Sequence, residues 1–211
     1  MNEKVKRLTC TGMLIALAYV LMVFCRIPLV QWLKYDPKDI VIAMGGFVFG
    51  PWTAVAVSVA VSLLEMLLVS ETGLIGFLMN VISTLSFCLP AALCYRYRRS
   101  LKGALTGLVL GSVLTVLAML LWNWLVTPFY MNVPREVVAG MLLPVFLPFN
   151  ATKCALNAAL TVLAYRPAVK ALRLARLVPP SSSGEKKKNT WGLYVGACVV
   201  IALAVGLTFL F

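Results

Sequence analysis

Seven apolar runs, Leu8–Cys25, Ile40–Phe49, Trp52–Val69, Leu74–Tyr95, Leu105–Phe129, Pro148–Tyr165 and Trp191–Phe211, fill most of this 211-residue chain and decide where it can fold. Several approach the roughly 20 residues that a helix needs to span a bilayer. The chain is 62% hydrophobic and 12% charged, more apolar surface than a soluble domain of this length can bury. The expected fold class is an all-α integral membrane protein with little room for a soluble domain.

The second run is the difficult one, because ten helical residues rise only about 15 Å. Charge settles its course. Basic residues cluster in Lys4/Lys6/Arg7, in Arg96/Arg98/Arg99/Lys102, and in Arg166/Lys170/Arg173/Arg176 with Lys186–Lys188. All three clusters fall on one side only if Ile40–Phe49 crosses, as the positive-inside rule requires. The sequence therefore predicts a multi-pass cell-membrane protein with its N-terminus cytoplasmic and its C-terminus outside. The cytoplasmic side then holds fourteen Lys/Arg against Glu3 and Glu185, while outside Arg26, Lys34, Lys38 and Arg135 cancel Asp36, Asp39, Glu71 and Glu136. Orientation and contact with anionic lipid account for the net charge of +12, so no nucleic-acid partner is needed.

The N-terminal MNEKVKR and the apolar stretch behind it look like a signal peptide without an A-x-A-like cleavage site, and are read as an uncleaved first helix. The six cysteines form no Cys-x-x-Cys and histidine is absent, which leaves little for a disulfide framework or an imidazole metal site. Small residues recur at helix-packing spacing in Gly103/Gly107/Gly111, Gly46/Gly50 and Gly12/Ala16. Such stripes serve packing inside the chain or a partner subunit, and the pattern does not choose. Residues 1–178 are read as a six-helix core, 179–190, around the polar stretch PPSSSGEKKKN, as a linker, and 191–211 as an added helix. That linker has no apolar periodicity, so the last helix is expected to be loosely tied and dispensable for ligand recognition.

No Gly-x-x-x-x-Gly-Lys-Ser/Thr loop is present, so the chain does not itself cradle ATP, and a Ser/His/Asp arrangement is impossible. Binding or transport is the remaining class, not catalysis. Two charges, Glu65 and Lys153, fall inside apolar runs, where ionisable groups usually face a cavity. Asn150, Lys153 and Asn157, spaced i, i+3, i+7, share one helix face. Pro148 is expected to open that helix, and Pro144 implies irregular backbone before it. Asn80 and Asn123 add amides, and Trp122, Trp124 and Tyr130 add aromatic walls near the outer surface. Such donors and acceptors suit a polar heterocycle. A second reading stays open, in which Glu65 pairs with Lys153 and the asparagines bond between helices.

At these residues the chain resembles the riboflavin-specific S components of energy-coupling factor (ECF) vitamin transporters. The similar stretches are GMLIALAYVLMVF, LKYDPKDIVIAMGGFVFGP, GFLMN, WNWLVTPFY and LPFNATK, in family order across most of residues 8–175. The resemblance implies a six-helix bundle of the S-component type, here with one extra C-terminal transmembrane helix. It implies capture of riboflavin from outside, and partnership with a transmembrane coupling subunit and two cytoplasmic ATPases that use the ATP; no cofactor of the chain's own is implied. Asn150 and Lys153 fall on the family's Asn-x-x-Lys, which points to the flavin, with Asn80 and Asn123 on further polar positions. Gly12, Ala16 and Ala18 match small residues that face the coupling subunit. The chain departs from the family at Val61-Ser62, where a Lys-Asn pair is frequent, and at Glu65, where an amide is common. An S component for another vitamin, or an ion-coupled transporter with Glu65 as proton carrier, is the alternative.

Overall fold

In a computed structural model of the chain, residues 3–30, 33–69, 72–174 and 191–208 are described. The elements run α1 Glu3–Phe24, β1 Ile27–Val30, β2 Leu33–Tyr35, α2 Lys38–Phe49, α3 Pro51–Leu68, α4 Gly73–Tyr97, α5 Leu101–Met131, α6 Arg135–Met141, a π-helical turn Leu142–Phe146, α7 Leu147–Leu174 and α8 Trp191–Thr208. Among the described residues five helical stretches are long and apolar enough to cross a membrane: Lys4–Phe24, Pro51–Leu68, Gly73–Tyr97, Leu101–Met131 and Arg135–Ala171. The predicted linker and the side chains of Glu71, Arg176, Glu185 and Lys186–Lys188 lie outside the described residues.

The short second run is a helix of 12 residues, and it begins at Lys38, two residues before the apolar run. It is buried along nearly its whole length, with Ile42, Ala43 and Phe47 joining Val57 and Val61 of α3 and Phe87 of α4 in the main core. Contacts at its two ends fix its course. The Arg7 guanidinium of α1 donates to the Phe49 carbonyl at 3.0 Å and to Thr53 Oγ1 at 3.3 Å, at the far end of α2. Arg26, just past the other end of α1, meets Glu65, which also holds Lys38 at the start of α2. So α2 returns the chain from the level of Arg26 to that of Arg7, although its rise is only about 18 Å. Burial among four helices removes the need for a full apolar span. Gly50, at φ 99°, makes the turn into α3 in a region glycine favours, and Pro51 starts α3 where a missing N–H costs nothing.

The glycine stripe of α5 is internal packing. A Cβ on Gly111 would lie 2.3 Å from the Phe87 carbonyl oxygen, and one on Gly107 2.7 Å from the Ala91 Cα, so α4 and α5 touch backbone to backbone. Gly46 likewise faces Ala92 and Ala54, whereas Gly12 and Ala16 are exposed, with open space beside Gly12.

Three expectations need correcting. Pro148 does not open its helix: the helical path runs from Arg135 through the π turn, which contains Pro144 and ends two residues before Pro148, neither of which can donate to the preceding turn. A small antiparallel hairpin, Ile27 opposite Tyr35 and Pro28 opposite Lys34, links α1 to α2 where no strand was anticipated. And α8 is not loosely tied, since it lies along α7 and buries Ala197.

Candidate functional site

A cavity of about 270 Å³ opens at the Arg26 end of the bundle. Its polar lining includes Arg26, Asp36, Glu65, Asn80, Asn123, Asn150 and Lys153, and its apolar walls are Met79, Met119, Phe146 and Phe149, with Tyr130 at the side. Four helices and the hairpin converge on it. The opposite end of the bundle is closed by Phe47, Tyr95 and Tyr165, whose two hydroxyls share a hydrogen bond. The basic residues Arg7, Arg96, Arg98 and Arg166 lie at or beyond that closed end.

Six buried or half-buried charges meet at and behind the cavity, and the exposed Lys34 stands in its lining as well. Lys38, 0% exposed, donates to Glu65 at 2.6 Å and stands 3.7 Å from Asp36; Glu65 also accepts from Arg26. Asp39 accepts from Thr84 at 2.8 Å and from the Asn157 amide at 3.0 Å, and its carboxylate lies 3.9 Å from the Lys153 ammonium. Arg26, Lys38 and Lys153 thus balance Asp36, Asp39 and Glu65, and a charge set that sums to zero is the form in which buried ions are tolerated. Burial pushes the Asp36 carboxyl up, but Lys38, Lys153 and Arg26 outweigh it and hold the group below its ordinary value.

The balance leaves polar atoms unused. Lys153 is buried yet donates no hydrogen bond among the described residues, and its single ion contact is long. Asp36 Oδ1 accepts none and Arg26 Nε donates none. The amides differ: Asn123 donates to the Met119 carbonyl and accepts from Thr127, and Asn150 donates to the Phe146 carbonyl at the π turn, which fixes both rotamers. Donors and acceptors in the lining, set between aromatic and thioether walls, can hold a flat ligand that itself both accepts and donates.

Of the residues singled out in the sequence, Glu65, Asn80, Asn123, Asn150 and Lys153 line this cavity together. Asn157 does not; it lies deeper, between Tyr35 and Asp39. Trp122 is half-buried elsewhere on α5, and Trp124 receives the Arg135 guanidinium 5.4 Å above its ring. Glu65 pairs with Arg26 and Lys38, so the anticipated Glu65–Lys153 pair is replaced by Lys153–Asp39. Ala18 is fully buried against the core, on a different face of α1 from Gly12 and Ala16, and is not available to a partner. Arg26, Asp36, Lys38 and Asp39 were missed as site residues because they were counted as loop charges that cancel. They do cancel, but inside the protein; the crowding of KYDPKD against the start of an apolar helix was the signal.

A larger apolar groove of about 710 Å³ lies between α5, α7 and α8. Its one hydroxyl, on Ser112, bonds within its own helix, so the groove has little to orient a polar solute.

Residues 6–165 match the family described as the ECF transporter, substrate-specific component. The chain is 29% identical to a Staphylococcus aureus protein named riboflavin transporter RibU, over 76% of this chain and 89% of that one. It is 31% identical to Bacillus subtilis riboflavin transporter FmnP, over 71% of this chain and 85% of that one. A solved S component of a bacterial ECF transporter superposes with a TM-score of 0.68 at 28% identity, covering 81% of this chain and 99% of that one.

Proposed function

The chain belongs to the substrate-specific components of ECF transporters, non-catalytic membrane subunits, and from that premise we propose that it captures riboflavin outside the cell and passes it inward with an ECF energizing module of a coupling subunit and two ATPases. The observation that carries the ligand is Lys153, a buried residue in the cavity lining whose ammonium stands 3.9 Å from its counterion Asp39, beyond hydrogen-bond length. An isoalloxazine ring presents carbonyl oxygens on either side of an imide N–H. Lys153, Arg26 and Asn80 line the cavity as donors for the carbonyls, and the carboxylates of Asp36 and Glu65 in the same lining are the acceptors for the N–H. Phe146, Phe149 and the methionines supply walls for a flat ring. The six buried or half-buried charges sum to zero, so a neutral flavin leaves them balanced, whereas a phosphorylated one adds negative charge that only the exposed Lys34, among the lining cations outside that set, can offset. The two named relatives support the same ligand.

The cavity opens at the end away from the basic clusters, which supports an outward mouth and a cytoplasmic N-terminus. The ion-coupled alternative is weaker. Glu65 is 4% exposed and holds two cations, so it is not free to carry a proton through a cycle. The test is uptake of labelled riboflavin into vesicles, with and without the coupling subunit and ATPases. ATP-dependent uptake only in the complete assembly is expected. Uptake by the lone chain along an ion gradient contradicts the proposal.

A further inference from the structure

The family match ends at residue 165, and α8 lies wholly beyond it. Yet α8 shares an apolar cluster with the part of the chain that edges the cavity. Ile201 of α8 joins Leu29 of β1, Tyr35 of β2 and Leu156 of α7 in a small apolar cluster separate from the main core. Tyr35 is buried there, and its hydroxyl donates to Asn157 Oδ1 at 2.8 Å. The Asn157 amide in turn donates to Asp39, the carboxylate nearest Lys153. Asp36, at the cavity wall, is the residue next to Tyr35.

A hairpin with strands of four and three residues is not stable on its own. It keeps its place only by packing against something else, and Ile201 and Leu156 provide that surface. We propose that α8 is a positioning element of the binding site, clamping the β1–β2 hairpin at the cavity through Tyr35 and thereby slowing ligand release; this rests on the reading of the cavity as the riboflavin site. Tyr35 and Ile201 are positioning residues, since neither lines the cavity. The clamp runs against the expectation that the last helix is dispensable for ligand recognition.

The test uses the full chain. Riboflavin dissociation is timed by recovery of flavin fluorescence, and amide hydrogen exchange is followed across the hairpin. Ile201→Ala removes the packing, Tyr35→Phe keeps the ring but removes the hydrogen bond, and Ile201→Leu restores apolar bulk. Leu203→Ala, at an exposed position of α8, is the control. The first two variants are expected to release riboflavin roughly two- to tenfold faster, the scale of one lost hydrogen bond or contact. Ile201→Ala also speeds exchange in the hairpin, and the double variant releases no faster than about the larger single effect. Ile201→Leu and Leu203→Ala stay close to the unmodified rate. Unchanged hairpin exchange in Ile201→Ala overturns the clamp, as does faster release in Leu203→Ala equal to that in Ile201→Ala. If the unmodified chain binds no riboflavin, the functional proposal fails, and hairpin exchange alone still decides whether α8 holds the hairpin.

Discussion

Lys153 carries three N–H donors, and the carboxylate that neutralises it stands 3.9 Å away, so charge and hydrogen bonding are satisfied by different partners. Asp39 supplies the charge and the ligand is left to supply acceptors. Lys153→Met keeps the length of the side chain and removes the donors; riboflavin affinity should fall by about 1.5–3 kcal/mol, read from quenching of flavin fluorescence. Unchanged affinity would make Lys153 a structural counterion only. Glu65 serves two cations, so Glu65→Gln strands positive charge beside the cavity and should destabilise the protein by about 3–5 kcal/mol. Adding Lys38→Met restores the balance and should recover much of that loss in thermal unfolding. Asp36 gives a pH signature. Its carboxyl lies below the ordinary 3.8, so its contribution is fully present above that value and is lost as pH falls through the lower folded value. For Asp36 the melting temperature should therefore hold level down to about pH 5 and drop in stronger acid; a rise toward pH 4 that Asp36→Asn abolishes would reverse the assignment. Sequence spacing reached part of this site. A separation of three residues put Asn150 and Lys153 on one face at one depth. The further four to Asn157 kept the face and moved about 6 Å along the axis, below the cavity. Periodicity reports direction, and depth has to come from the fold. Trp122 shows the complement, since one residue from Asn123 turns the helix by about 100° and away from the cavity.

At the scale of elements, apolar length located the spans, and charge distribution placed even the short α2. The sequence did not show how α2 manages, because its ends are served by residues distant in the chain: Arg7 at one, Glu65 and Lys153 at the other. Pro144 signalled irregular backbone before α7, but not that a π turn carries the helix through it. The small-residue stripes look alike in sequence and differ in what faces them. Gly111→Val drives a side chain into the Phe87 backbone and should cost about 1–3 kcal/mol or more of stability in a thermal melt. Gly12→Val meets open space, so fold and flavin affinity should persist. If Gly12 and Ala16 face the coupling subunit, that same variant lowers uptake in the complete assembly; full uptake with normal binding would move the partner surface elsewhere. The resemblance groups Ala18 with them as a small residue of the first helix, although six residues from Gly12 is a turn of about 240° and a different face.

Across the whole molecule, one end gathers six balanced charges around an unfilled polar cavity, while the other is shut by aromatic rings beneath the basic clusters. Among the described residues the cavity opens at one end while aromatic packing shuts the other, which fits dependence on an energizing module. It also fits a neutral ligand. The most direct measurement is a fluorescence titration of the purified chain with riboflavin and, separately, with its 5′-phosphate. The account predicts saturable quenching at one riboflavin per chain, weakened in Lys153→Met, with clearly weaker binding of the phosphate ester. No saturable binding of riboflavin, or preference for the phosphorylated flavin, would contradict it.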